Sequence, residues 1–342
     1  MRLGRRGASF RAFAGRGRGA YGRGVRIAFI KCHGAGNDFP LVDARGSGVG
    51  DRDWAAVARA LSDRAGPVGG DGLLLLTDGD AEAAFGMRMF NPDGSEAETC
   101  LNGLRCVARA GLEALGLARA RVRLRTSLAE VAVDRGLAPG VYTVEERAGP
   151  AGLDVRDWPM RLGTERVIDA VVAPLSPHLR FTAVAMPNPH LIAFVDGVDE
   201  AELVRVGLIC EAAPAWLPNR ANVSFVARRA DGLFVRTHER GAGLTDACGS
   251  AVASAVVAAG LTGRVAFGTA ITVWNRGGPV RARAEADGMV TLSGNATNEW
   301  AGAVAVDLAT GRVGDLAVTA RFDAEVAAWA AARGDPGGPQ GR

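Results

Sequence analysis

The stretch Asn91-Pro-Asp-Gly-Ser-Glu-Ala-Glu-Thr-Cys100-Leu-Asn-Gly-Leu-Arg105 runs from a polar loop through a cysteine into a small-residue helix. The same order recurs in His238-Glu-Arg-Gly-Ala-Gly-Leu-Thr-Asp-Ala-Cys248-Gly-Ser-Ala251. The two cysteines stand 148 positions apart, one in each half of the 342-residue chain. A weak internal duplication follows, and with it an α/β (α+β) fold of two pseudo-symmetric domains. Each domain is expected to be a curved, mostly antiparallel sheet wrapped around a central helix, with the active site in the interdomain cleft. A helix N-terminus favours a thiolate. One such thiol per half suits a base on each face of a carbon acid, the arrangement that stereoinversion needs.

The flanking pattern alternates short strands and helices. Arg26–Lys31, Leu73–Thr77, Ala84–Phe90 and Val122–Thr126 read as strands, and Trp54–Asp63 as a helix with Asp53 as N-cap. Asn102–Leu115 reads as a buried helix stopped near Gly116. In the second half Phe181–Met186, Leu191–Val195, Asn222–Ala227 and Leu233–Thr237 read as strands. Gly249–Ala259 is a small-residue helix ended by Gly260, followed by strands at Ile271–Trp274, Val280–Ala284 and Met289–Gly294. The expected division is residues 1–25 as a disordered Gly/Arg-rich extension, 26–146 as the domain with Cys100, and 147–295 as the domain with Cys248. In 296–342, a strand near Trp300–Val306 returns to the first domain, Ala324–Arg333 forms a helix and the last nine residues fray. Arg147–Pro159, rich in Gly and Pro, reads as a linker.

Composition narrows the function. Hydrophobic residues make up 48% with only 6% aromatic, so aliphatic side chains build the cores. No apolar run reaches the length of a membrane span. Eight arginines and no acid fall within residues 1–26; without them 32 basic face 37 acidic side chains, a net charge of −5. That balance gives no reason to expect a nucleic-acid partner. The acid-free leader reads either as a transit peptide or as an artefact of a start placed upstream of Val25. Five cysteines (Cys32, Cys100, Cys106, Cys210, Cys248) without a CxxC pair or metal-ligand spacing point to free thiols in a reducing cytoplasm and to no metal. Lys31 is the single lysine and lacks a glycine-rich phosphate cup, which argues against a pyridoxal Schiff base and for chemistry without a cofactor.

Seven blocks, in order, resemble the diaminopimelate epimerases from Arg26 to Val306. They are Phe29-Ile-Lys-Cys-His-Gly-Ala-Gly-Asn-Asp-Phe39, Val68-Gly-Gly-Asp-Gly72, Phe90-Asn-Pro-Asp-Gly-Ser-Glu96 with the Cys100 motif, Asn188-Pro-His190, Arg220-Ala-Asn-Val-Ser-Phe225, Glu239-Arg-Gly-Ala-Gly243 and Cys248-Gly-Ser250. Any one block is a weak signal; their order is a strong one. The resemblance implies cofactor-free interconversion of LL- and meso-2,6-diaminoheptanedioate, in lysine and peptidoglycan precursor synthesis, with Cys100 and Cys248 as the catalytic thiols. It implies that Asn102, Gly103, Gly249 and Ser250 hold the reacting carboxylate, and Asn91 and Glu239 the α-ammonium. Asn37, Asn188, Asn222 and Arg240 would hold the distal amino-acid end, and His190 would polarise a thiol. Such an enzyme binds a small molecule, needs no nucleic acid or membrane, and is compatible with a homodimer.

Local readings of the same residues stay open. Asn91-Pro-Asp-Gly94 makes a turn as readily as a site, His190 can be a satisfied loop histidine, Glu239–Arg240 a solvated pair, and Asp71 turn chemistry. The pattern departs from the family at Leu101, where Gly is usual, at Leu104, and at Ala251-Val252. A leucine beside the reacting carboxylate would slow the enzyme or shift its substrate, and Leu101→Gly is expected to alter turnover while leaving folding unchanged. The competing functions are another amino-acid racemase or hydroxyproline epimerase of the same architecture, and a non-catalytic thiol protein.

Overall fold

The computed structural model describes residues 24–97, 100–158 and 160–334. Along the chain the elements are β1 (Gly24–Gly34), β2 (Asn37–Asp43), α1 (Asp51–Ser62), β3 (Leu73–Asp78), β4 (Phe85–Phe90), α2 (Leu101–Leu115), β5 (Arg119–Arg123), β6 (Leu128–Asp134) and β7 (Thr143–Ala148). They continue with β8 (Ala170–Val171), β9 (Arg180–Ala185), β10 (Pro189–Val195), α3 (Glu200–Glu211), β11 (Asn222–Arg229), β12 (Gly232–Glu239) and β13 (Gly243–Thr245). The last are α4 (Gly249–Leu261), β14 (Ile271–Asn275), β15 (Gly278–Ala284), β16 (Val290–Asn295), β17 (Thr297–Asp307), β18 (Ala317–Arg321) and α5 (Asp323–Arg333). Two compact units form. One runs to Glu146 and resumes over Asn295–Ala331; the other spans Arg147–Gly294 and takes up the chain from Ala332. No helix among the described residues is long and apolar enough to cross a membrane.

In the first unit β1 pairs antiparallel with β17 and β2, and β2 runs parallel to β3. The β3–β4 and β5–β6 pairs are antiparallel, with β4 parallel to β5. The four leucines of β3 are all buried because the strand is covered on both faces. Leu74 and Leu76 face α2 with Phe85, Val107 and Leu112, while Leu73 and Leu75 face α1 with Trp54, Val57 and Leu61. Helix α2 is buried nearly throughout, from Asn102 to Leu112. A Cβ added at Gly111 would lie 2.6 Å from the Phe85 ring, so glycine lets the helix sink against β4. The helix stops at Gly116, whose φ of 67° is the left-handed geometry glycine supplies.

The second unit repeats the plan. Antiparallel β9–β10 and β11–β12 pairs are joined by a parallel β10–β11 pair, and β12 runs parallel to β14, which leads antiparallel through β15 to β16. Helix α4 is buried at every position from Ala251 to Ala259, where small side chains allow strands to approach on all sides. Helix α3 covers the other face, packing Leu203, Val206 and Cys210 on Phe181, Leu191, Val223 and Phe225.

Several sequence expectations are corrected. Helix α1 is capped by Gly50, with Asp51 and Asp53 in its first turn, where two carboxylates favour the helix dipole. Strand β5 lies at Arg119–Arg123, earlier than Val122–Thr126. Helix α4 runs past Gly260 to Leu261, where the Thr262 hydroxyl donates to the Ala258 carbonyl at 2.7 Å. Gly24 and Val25 open β1, so the extension expected over 1–25 does not reach that far; residues 1–23 lie outside the described residues, as do 335–342. Within Arg147–Trp158, Val155 and Trp158 are buried in the core of the second unit and Gly152 bridges Ala185, so these residues are packed structure and not a linker; Pro159 lies outside the described residues.

Candidate active site

The first unit holds Cys100 at the N-cap of α2, in extended backbone (φ −150°, ψ 106°), where its sulfur accepts from the Gly103 amide at 3.3 Å. The thiol also donates to Asn37 Oδ1 at 3.7 Å, and Asn102 Nδ2 donates to the same oxygen at 3.4 Å. Asn37 in turn donates through Nδ2 to Asp71 Oδ2 at 2.5 Å. Asp71 therefore does more than shape its loop: with Arg64 at 2.6 Å it fixes the carboxamide beside the cysteine. Gly34 makes this close approach feasible, since a Cβ there would lie 2.6 Å from the Asn102 carbonyl oxygen. Gly103 sits equally tight, 2.8 Å from Leu74 Cδ2 by the same construction.

Asn91 belongs to a tight turn. Its Nδ2 donates to Ser95 Oγ at 2.9 Å, Ser95 Oγ donates to Asp93 Oδ1 at 2.6 Å, and Gly94 takes a φ of 84°. The turn reading of Asn-Pro-Asp-Gly is thus realised in the folded chain.

Leu101 is half-buried and packs against the α2 core cluster; Leu104 is buried in it, and Ala251 and Val252 are buried in α4. Three of these departures from the family pattern are core side chains and Leu101 packs on the core, which explains how the helices accept them. Leu101→Gly removes apolar contact and puts glycine in the first helical turn. It is expected to lower unfolding stability by about 2 kcal/mol in a urea titration, against the expectation of unchanged folding.

The second unit gathers more of the candidate residues. Cys248 occupies the N-cap of α4 (φ −132°, ψ 109°), with Gly249 opening the helix. Its sulfur lies 3.4 Å from Ser250 Oγ, and Ser250 Oγ lies 3.0 Å from His190 Nε2. The same ring nitrogen is 3.2 Å from Asn188 Oδ1 and 3.5 Å from Asn222 Nδ2. The Arg240 amide donates to Asn222 Oδ1 at 2.9 Å, which turns the Asn222 NH2 toward the imidazole. The Arg240 guanidinium donates to the Asn219 carbonyl at 3.1 Å. Glu239 accepts from the Thr245 hydroxyl and stands beside the Cys248 thiol.

His190 is fully buried, its Nδ1 has no hydrogen-bond partner, and burial together with the Arg240 charge pushes its pKa down to about 3. It is a neutral imidazole at physiological pH, joined to Cys248 through the Ser250 hydroxyl. Burial raises the Cys248 thiol well above the usual range, and the Glu239 carboxylate raises it further; the Ser250 hydroxyl and Ala251 amide oppose them. This corrects the sequence argument from helix position alone. The helix amide does favour the thiolate, but desolvation and a neighbouring carboxylate outweigh it. All five cysteines are free.

Residues 29–137 and 182–298 match the diaminopimelate epimerase family profile. A diaminopimelate epimerase of Listeria monocytogenes serovar 1/2a is 37% identical over 295 residues, covering 82% of this chain and 89% of the relative. This chain belongs to the diaminopimelate epimerase family. The Synechococcus elongatus member is 39% identical over 283 residues, covering 82% of this chain and 99% of its own length. Among solved structures, a hydroxyproline epimerase from Agrobacterium vitis superposes with a TM-score of 0.60 at 16% identity, covering 82% of this chain and 93% of that one. A Bacillus anthracis protein of the phenazine biosynthesis PhzF family gives 0.60 at 14% identity, covering 80% and 97%. At those identities the likeness is one of fold: the two-domain α+β fold of the epimerases. Arg105 and Asp71 lie inside the blocks that carry the resemblance, but the sequence reading gives neither a role at the cysteine, and Glu146, 41 residues past Arg105, is not singled out at all.

Proposed function

We propose that this chain interconverts LL- and meso-2,6-diaminoheptanedioate in the cytoplasm by a cofactor-free, two-base proton transfer. The observation that carries the reading is the repeated cysteine at a central-helix N-cap, one in each unit. One thiolate removes the α-proton and the other thiol returns a proton to the opposite face, which inverts the carbon. The helix-start amides of Asn102, Gly103, Gly249 and Ser250 hold the carboxylate as charge develops on it.

The electrostatics of Cys248 fit this chemistry. A thiol lifted by burial and by Glu239 is a strong base once ionised. An α-ammonium docking on Glu239 cancels the carboxylate's effect on the thiol, so substrate binding itself helps ionise the base. Asn188, Asn222 and Arg240 offer carboxamide and guanidinium groups for the distal amino-acid end, which suits a substrate with two zwitterionic termini.

The test is incubation of the reduced protein with LL-diaminopimelate in heavy water, followed by chiral chromatography and NMR. Meso product carrying one solvent deuterium at the inverted carbon is the expected result. A folded, reduced protein that leaves the LL isomer unconverted while racemising proline or hydroxyproline would replace this reading with the related isomerase.

A further inference from the structure

Among the described residues Arg105 is the largest fully buried side chain. Its donors are spent on three partners: Nη1 on Glu146 Oε1 at 2.6 Å, Nη2 on Asn102 Oδ1 at 2.5 Å, and Nε on the Asn295 carbonyl at 3.3 Å. Glu146 is also fully buried, and its Oε2 has no hydrogen-bond partner. A buried ion pair with an unsatisfied oxygen contributes less to stability than apolar side chains of the same volume would. Its geometry supplies another reason for it to be there.

Charged groups settle which way a carboxamide faces. Arg105 can only donate, so Asn102 turns Oδ1 toward it and Nδ2 toward Asn37. The Asp71 carboxylate can only accept, so Asn37 turns Nδ2 toward it. Both ends of the chain agree: the atom of Asn37 facing Cys100 is the oxygen.

We propose that Glu146 and Arg105 are positioning residues for Cys100, holding the Asn102 carboxamide and through it the Asn37 oxygen against the sulfur. An oxygen there accepts S–H and aims the proton; a reversed carboxamide would donate to the sulfur and favour the thiolate. The functional weight of this arrangement rests on the thiol chemistry proposed above, but the orientation does not.

The experiment uses the full chain with Arg105→Met/Glu146→Leu, an apolar replacement of the kind that keeps or raises stability at buried pairs. Its thermal midpoint is expected to stay at or above the parent value. Its kcat should fall by about 10²-fold with KM changed less than about threefold, as for a misplaced catalytic group. Iodoacetamide labelling of Cys100, read by peptide mass spectrometry between pH 6 and 9, should run several-fold faster with its pH profile shifted to lower pH. Parent-like kcat and Cys100 labelling in the folded double variant would overturn the proposal and leave the pair a structural one. Should the double variant not fold, Arg105→Lys, which keeps the charge facing Glu146 but loses the fork that reaches Asn102, is read the same way. Labelling needs no substrate turnover. A parent protein inactive on diaminopimelate, with Cys100 labelling still governed by Arg105, would therefore sink the substrate reading and keep this one.

Discussion

Cys100→Ala and Cys248→Ala should each lower the rate of LL-to-meso conversion by on the order of 10²–10⁴-fold, the range for removing a positioned acid or base. Each cysteine is a partly exposed residue at a helix start, and alanine fits either position, at the cost only of the weak sulfur cap that Cys100 makes to the Gly103 amide. The thermal midpoint should therefore move little. The isotope pattern separates the two roles. With one thiol gone, the remaining base can still remove an α-proton, but only from the isomer that presents its proton to that face. One variant is expected to wash solvent deuterium into LL-diaminopimelate without inversion, the other into the meso isomer. A single-alanine variant with parent turnover would remove that cysteine from the chemistry. Loss of exchange from both isomers in both variants would mean the two thiols work as one inseparable unit.

Much of this site is legible in the sequence because it depends on position along a local element. A cysteine before a small-residue helix reads as an N-cap whatever surrounds it, and both central helices lie where their patterns place them. Gly116 likewise announces its own left-handed stop. Helix α3 is missed although Asp199 caps it, its side chain accepting from the Ala201 and Glu202 amides, because it buries only a narrow stripe and its periodicity is weak. Strands β2, β6 and β7 escape for related reasons: β2 contains Pro40, β6 carries Glu130 on an exposed face, and β7 is a short run of mostly polar residues in which Glu146 is buried. The electrostatics are the least legible. Sequence position argues for an easily ionised Cys248, yet the sign is reversed first by burial that only the folded unit creates and then by Glu239, nine residues earlier. Of the three partners of Arg105 only Asn102 is local; Glu146 and Asn295, 41 and 190 positions away, leave no trace near it in the sequence.

The departures from the family pattern illustrate the same division. Leu101, Leu104, Ala251 and Val252 look alarming beside the two N-cap cysteines when read as a string. In the folded units three of them are core side chains and Leu101 leans on the core. What a helix start offers a carboxylate is its amides, and those are unaffected by which apolar side chain points inward.

The two units should respond to acid in opposite directions. In the second unit His190 is held neutral, with a folded pKa of about 3 against an ordinary 6.5. Acidification below 6.5 protonates the unfolded chain but not the folded unit, so this stability is present above pH 6.5 and is lost as pH falls toward 3. Between pH 7 and 5 the loss is roughly 2 kcal/mol. His238, lowered by burial, acts in the same direction. In the first unit Glu146 is pushed up to about 7 by burial, with the Arg105 charge opposing. The folded unit takes up its proton before the unfolded chain does, so that unit gains stability as pH falls from 7 toward 4.5, again by roughly 2 kcal/mol at pH 5. Hydrogen exchange at pH 7 and pH 5, corrected for intrinsic rates, reads the units separately. Slowly exchanging amides of β10, β11 and α4 should lose about thirtyfold in protection, while those of β3, β4 and α2 gain. His190→Gln cannot titrate and should flatten most of the loss in the second unit, leaving the smaller slope that His238 carries. Glu146→Gln should flatten the gain in the first. Equal protection at both pH values in the parent would mean that neither group is held in the charge state its burial imposes.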